Sequence, residues 1–274
     1  MHTSIMENKL DLDYKELLRD VLENGTQKED RTGTGTLSLF GKSIRHDMSE
    51  GFPVLTTKKI PLKTVSTELK WFLSGSTDIR QLWKHNNHIW DGDYEKSGRT
   101  DYSLGPIYGH QWRCWDSLHG WTDQIRELIE GLKKNPDSRR HIVSAWNVSE
   151  LDEMTLPPCH YAFQCYVADG KLSLMWSQRS ADLFLGVPFN ISSYGMLLLL
   201  LCKETGYKPG ELIGNFGDIH LYKNHLEQAK KQISRKPYEL PKLTVLNVHI
   251  LKGEFNYVLE SYNYHPTIKA PLSN

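Results

Sequence analysis

The stretch Leu156–Asn190, LPPCHYAFQCYVADGKLSLMWSQRSADLFLGVPFN, decides the fold. Residues 160–168 alternate and are rich in aromatics and Val, the pattern of a half-buried strand. Asp169-Gly170 supplies a two-residue hairpin turn, whose favoured forms need positive φ at both central positions. Residues 171–178 alternate again. The spacing therefore predicts an antiparallel pair, with Cys159 at the start of one strand and Gln178-Arg179-Ser180 at the end of the other. In a hairpin those ends are neighbours, and a guanidinium near a thiol favours the nucleophilic thiolate. Read from the residues alone, Cys159 is more often a small buried apolar side chain, the usual state of a free cysteine.

Composition bounds the rest. The 274 residues suffice for one large domain or two small ones. Lys+Arg and Asp+Glu are both 33, so no global field points to a nucleic acid or membrane partner, and any anion site is a local basic cluster. Cys114, Cys159, Cys165 and Cys202 have no metal-ligand spacing, and with no signal peptide the expectation is a reducing cytoplasm. No metal motif is present. The longest apolar run, Met196–Cys202, is too short to span a bilayer, which takes about 20 residues.

Along the chain, Met1 to Lys9 is polar and expected to fray. Tyr14, Leu17, Leu18, Val21 and Leu22 share a helical face over residues 11–24, with Gly25 at the stop. GTQKEDRTGTGT is a flexible loop carrying Arg31, without the Lys and Ser/Thr of a phosphate-binding P-loop. FPVLTTKKIP follows, with Lys58 and Lys59 expected at the surface. Residues 62–74 read as a helix with Glu68 beside its apolar face, where a carboxylate is ordinarily solvated. Residues 78–84 read as a short helix, and the aromatic, Gly-bearing segment after it as a functional loop. Cys114 and Trp115 read as core, and Trp121–Lys133 as an amphipathic helix. Arg139-Arg140 stand before a strand, where neighbours point to opposite faces; an isolated pair of this kind is as readily a solvated turn. Asn190 is expected to begin a helix to about Thr205, with Gly206 at its stop. Asp218, His220 and Tyr222 lie on a loop or strand, followed by a helix to about Ser234 and closing strands at 242–250 and 255–262. No linker divides the chain, so residues 1–274 are expected to form one α+β domain: a large mixed sheet with helices on one face.

PPCH, QRSADLFLGVPFN and GDIHLYKNH, with EDRTGTGT, FPVLTTKK, LGPIYGHQWR, PDSRRHIVSAWN and YHPTIKAP, resemble the folate-dependent thymidylate synthase family, which includes pyrimidine nucleotide hydroxymethylases. The blocks keep that family's order from residue 29 to the end. The resemblance implies a homodimer packed through the second sheet face, dUMP as substrate and 5,10-methylenetetrahydrofolate as co-substrate. It makes Cys159 the nucleophile that adds to pyrimidine carbon 6, Glu68 the organiser of waters and proton transfer, and Tyr108 part of the proton relay. Arg31, His160, Gln178, Arg179, Ser180, Asn190, His220 and Tyr222 would hold dUMP, with Arg139 and Arg140 reaching into the partner's site. Lys58, Ile89, Trp90, Asp182, Gly186, Phe189 and Asn274 would meet the folate. Asn190 can donate to O4 and accept from N3–H, which suits uracil; cytosine would favour Asp.

Four positions depart from the family pattern: Lys70, Asp93, Ser177 and the polar end Ser273-Asn274. A wetter pocket would let water in place of hydride quench the methylene intermediate, giving 5-hydroxymethyl-dUMP. A non-catalytic nucleotide binder and a Cys-His hydrolase are the other readings. The second suffers because His160 and Cys159, as strand neighbours, would face opposite ways.

Overall fold

A computed structural model describes residues 8–30, 33–118 and 120–272; Arg31, Ser273 and Asn274 lie outside them. In chain order the elements are α1 (Lys9–Asn24), β1 (Thr26–Lys28), β2 (Thr36–Asp47), α2 (Leu62–Leu73), α3 (Arg80–Trp83), α4 (Asp91–Ser97) and α5 (Tyr108–Arg113). Then come β3 (Trp115–Ser117), β4 (Gly120–Thr122), α6 (Gln124–Lys134), β5 (Ile142–Ser144), β6 (His160–Ala168) and β7 (Lys171–Asp182). The chain continues with α7 (Gly186–Thr205), β8 (Lys208–Tyr222), α8 (Leu226–Ile233), β9 (Lys242–His249) and β10 (Glu254–Glu260).

Six strands form one mixed sheet in the order β1-β2-β8-β7-β6-β5. The hairpin turn is as the sequence requires, with Asp169 at φ 51° and Gly170 at φ 70°. β7 and β8 pair in parallel, joined through α7, and their ends register Ser180 with Asp218 and Asp182 with His220. The other sheet pairings are antiparallel. α7 packs on β7 and β8, and α1 on β2. Trp176 on β7 stacks on Tyr194 of α7 at 5.2 Å. Gly214 on the neighbouring strand makes room for it: a Cβ there would come within 2.5 Å of the indole.

By length and composition alone α7 would cross a membrane, yet 67% of its apolar window is buried inside the fold. Its place is the core, between the sheet and the other helices. On the far side of the sheet, Phe40 and Tyr166 are 86% and 66% exposed.

Several boundaries differ from expectation. Asn8 and Lys9 are not frayed: the Asn8 side chain accepts from the Asp11 amide and caps α1. The Asp11 carboxylate, fully buried, accepts from the amides and hydroxyls of Thr56 and Thr57, anchoring α1 to that loop. α7 starts at Gly186, four residues before Asn190; Pro188 is tolerated because amides of a first turn lack intrahelical partners. Trp121 lies in the β3–β4 hairpin, 64% exposed, and the helix after it begins at Gln124, where Asp123 caps it. Cys114 and Trp115 are half-buried rather than core.

Candidate active site

A cavity of about 320 Å³ opens where the ends of β7 and β8 meet the start of α7. Its wall brings together fourteen of the expected residues: Glu68, Ile89, Trp90, Tyr108, Cys159, His160, Gln178, Arg179, Ser180, Asp182, Gly186, Asn190, His220 and Tyr222. Leu156 and Asp93 line it as well. Leu156 gave no chemical signal in the sequence, and Asp93 stood out only as a departure.

Cys159 sits one residue ahead of β6. Its amide donates to the phenolic oxygen of Tyr108 at 2.8 Å, and its carbonyl accepts from the Arg179 amide at 2.9 Å. The Arg179 guanidinium reaches the turn that carries the thiol. It donates to the carbonyls of Pro158 and Pro157, at 3.0 and 2.8 Å, and lies over Trp146. Its grip fixes the two prolines, and so the point from which the thiol projects.

Cys159 and His160 line the same cavity although they are neighbours, because Cys159 precedes the strand and alternation starts after it. His160 is buried, bonded to the Tyr194 hydroxyl at 2.8 Å and stacked on Tyr108 at 4.2 Å. Burial pushes its imidazole down to about 3, so at neutral pH it carries no charge. Burial also raises Tyr108 well above the ordinary phenol value, with Cys159 as a second cause, so Tyr108 keeps its proton. Glu68 is half-buried rather than solvated. Trp90 Nε1 donates to its Oε1 at 2.8 Å; burial nevertheless lifts its pKa to about 7, the indole bond opposing. A carboxyl balanced near neutrality can give or take a proton.

The turn after β7 is held from three sides. Asp182 Oδ1 accepts from the amides of Phe184 and Leu185. Tyr14 Oη donates to the Leu183 carbonyl at 2.7 Å. Lys58 Nζ donates to the Phe184 carbonyl and lies 3.7 Å above the Phe184 ring. Lys58 is thus buried, not at the surface, and outside the cavity wall; burial lowers its pKa to about 7. Lys59 alone faces outward, over Tyr264. Gln178 is clasped by its neighbours, accepting from Trp176 Nε1 at 2.8 Å and donating to the Ser180 carbonyl. Asp218 accepts from Lys28 and Ser38 and meets His220 Nδ1 at 3.1 Å, bonds that hold its carboxyl far below the usual range.

Other expected residues lie elsewhere. Phe189 packs against the core, outside the wall. Arg139 and Arg140 are exposed in the turn before β5; Arg140 lines a separate concavity of about 580 Å³, among residues of α6 and the β3–β4 hairpin, away from Cys159. Ser177 lines a shallow concavity with Lys42, Tyr161 and Asn215 rather than the site. Lys70 places its ammonium over the Phe255 ring, also away from the site. Among the described residues His110, Asp116 and Glu150 bring ligand-bearing atoms within 4.8 Å of one another, but Asp116 is exposed and Glu150 already accepts from Gln111 and Asn147.

Apolar Ile89 and Leu156, with the polar Asp182 and Asn190, suit a stacked heteroaromatic ring. The model of a family described as thymidylate synthase matches residues 12–274. The chain belongs to that family, whose members transfer a one-carbon unit to a pyrimidine nucleotide.

Proposed function

We propose that this member of the thymidylate synthase family reductively methylates dUMP to dTMP with 5,10-methylenetetrahydrofolate. The observation that carries the reading is the convergence of Cys159, Tyr108, Asn190 and a near-neutral Glu68 on one cavity.

Carbon 5 of uracil is too weak a nucleophile to attack a one-carbon donor. Addition of the Cys159 thiolate at carbon 6 makes the ring an enolate, with charge towards O4, and carbon 5 becomes reactive. Asn190 donates to O4 and accepts from N3–H, which selects uracil. Glu68 and Tyr108 handle the protons that leave and reach the ring. The folate, when bound, supplies both the carbon and the hydride that makes it a methyl. Trp90, Ile89 and Leu156 offer its ring an apolar wall, and Asp182 a carboxylate edge. Elimination of the Cys159 thiolate then frees dTMP. Arg179 and Ser180, with His220 and Tyr222 for the sugar, hold the nucleotide. The proposed homodimer uses the sheet face that carries Phe40 and Tyr166, and gives each site Arg139 and Arg140 of the other subunit. Free cysteines fit a reducing cytoplasm.

A second reading, hydroxymethylation of dUMP by water, is favoured by one observation: the acidic Asp93 on the cavity wall. Lys70 and Ser177 lend it no support, since neither lines that wall.

Incubation with dUMP and methylenetetrahydrofolate separates the two. Dihydrofolate with dTMP supports the methylation; tetrahydrofolate with 5-hydroxymethyl-dUMP supports the second reading. Trapping with 5-fluoro-dUMP should label the peptide holding Cys159, and a label elsewhere would overturn both.

A further inference from the structure

His220 lines the cavity near the end of β8, whereas Asp218, two residues earlier, is not on the wall. β1, β2, β8 and β7 run side by side there, and register partners share a face of the sheet. Ser38 of β2 stands opposite His220 on one side, and Asp182 of β7 on the other. Asp218 shares that face, at a spacing of two. So does Lys28 of β1, whose partner Thr36 is in turn the partner of Tyr222. The sheet thus gathers Lys28, Ser38, Asp218 and His220 into one row beside the cavity.

The Asp218 carboxylate is the hub of that row. Lys28 Nζ donates to Oδ2 at 2.6 Å, and Ser38 Oγ donates to Oδ1 at 2.8 Å. His220 Nδ1 lies 3.1 Å from Oδ1 and 3.3 Å from the Asp218 carbonyl oxygen. Both of those oxygens only accept, so Nδ1 carries the ring proton. In the neutral ring Nε2 is then an acceptor, and it is the nitrogen left to serve the cavity. Stability gives little reason for this arrangement. The side chains of Lys28 and Asp218 are 51% and 34% exposed, and so open a pair contributes little to folding. Its effect is directional: the ammonium claims Oδ2, so a group at 218 must keep an oxygen there and turn its other atom to Ser38 and His220.

We infer that Asp218 is a positioning residue that sets the direction of the hydrogen bond between His220 and the substrate: Nε2 accepts, so the ligand must bring a donor. For the nucleotide proposed above that donor is the sugar 3′-hydroxyl, and an analogue with only an acceptor on that carbon is rejected. The identity of the ligand rests on the dUMP reading; the place of the proton on the ring does not.

The test uses Asp218→Asn, which keeps the shape of the side chain. With Lys28 holding the amide oxygen, the amide nitrogen faces His220 and donates to Nδ1, which moves the ring proton to Nε2. Adding Lys28→Met releases the amide, whose oxygen can turn back to accept from Nδ1. Nitrogen-15 spectra of the ring at about pH 8, where an ordinary imidazole is neutral, give the place of the proton. Wild type should carry it on Nδ1 and Asp218→Asn on Nε2, and the double variant should return to Nδ1. Binding of dUMP is compared with that of its 3′-fluoro analogue, whose fluorine accepts but cannot donate. Wild type should prefer dUMP by at least about thirtyfold; that preference should shrink about tenfold in Asp218→Asn and recover in the double variant. A wild-type ring with its proton on Nε2 overturns the inference, and so does a preference that Asp218→Asn leaves unchanged. An equal loss of affinity for both nucleotides, unrelieved in the double variant, is a structural defect and overturns it too. Should Asp218→Asn lack a cooperative melt, the wild-type spectrum and preference decide. If wild type binds no dUMP, the nucleotide reading fails, and the spectra alone decide what Asp218 does to the ring.

Discussion

The amide of Cys159 donates to the phenolic oxygen of Tyr108 at 2.8 Å, so the backbone that carries the nucleophile is tied to a phenol that keeps its proton. Tyr108→Phe removes that oxygen while keeping the ring that stacks on His160. Single-turnover rates should fall about 10²–10³-fold, with dUMP affinity changed little. A rate within about threefold of wild type would remove Tyr108 from the proton chemistry.

Glu68 titrates near pH 7 in the folded chain against 4.5 in its unperturbed state. Between those values the folded protein binds more protons than the unfolded one. The contribution to stability is present below pH 4.5 and is lost as pH rises through about 7. Lys58, lowered from 10.5 to about 7, acts in the opposite sense: stability grows as pH rises from 7 towards 10.5. Glu68→Gln isolates the first effect. Its stability relative to wild type, from urea titrations at several pH values, should climb from pH 5 to 8, and a flat difference would refute the raised pKa. Activity of the same variant should lose the ionisation near neutrality.

Asp11 receives four hydrogen bonds from Thr56 and Thr57 and a fifth from the Asn8 side-chain amide. Asp11→Ala strands those donors in the interior and should cost more than about 3 kcal/mol. Denaturant midpoints with an unchanged m-value would register it. A loss under about 1 kcal/mol would mean that water replaces the carboxylate.

Arg179→Lys keeps the charge and loses the fork that spans the carbonyls of Pro157 and Pro158. KM for dUMP should rise at least about tenfold, with a melting temperature a few degrees lower. Wild-type KM would show that the fork neither shapes the proline turn nor serves the nucleotide.

Mixing a Cys159→Ala chain with an Arg140→Ala chain tests the shared site. After subunit exchange of an equal mixture, about half of the dimers are hybrids with one of two sites intact, so the population should recover about a quarter of wild-type activity. No recovery after subunit exchange would confine each site to its own chain.

Local rules explain what the sequence made legible. The hairpin of β6 and β7 could be read because Asp169 and Gly170 tolerate positive φ and alternation ran on both sides of them. The cavity wall followed, since strand ends that pair must share an edge. What escaped depended on partners far away in the chain. Lys58 looked like half of a surface pair, yet the carbonyl and ring of Phe184 draw it inward. Tyr194 was hidden in an apolar helix; its hydroxyl serves His160 across 34 positions. Trp121 fell on the helical spacing, but it pairs with Asp116 between β3 and β4, and its indole is left outside. The start of α7 was misplaced because Gly186 and Pro188 resemble a loop until the unpaired amides of a first turn are considered.

The parallel pairing of β7 with β8 has a practical corollary. Asp182 and His220 are register partners, and so are Lys171 and Lys208 at the opposite ends of the same strands. Eleven residue steps of extended chain, about 36 Å, separate the two ends of β7. Editing the Asp169-Gly170 bend or the Gly206 corner therefore leaves the reacting groups untouched, and either place would accept a fluorescent tag or an added peptide. A single residue inserted within the strands would instead swap His220 for an aliphatic neighbour.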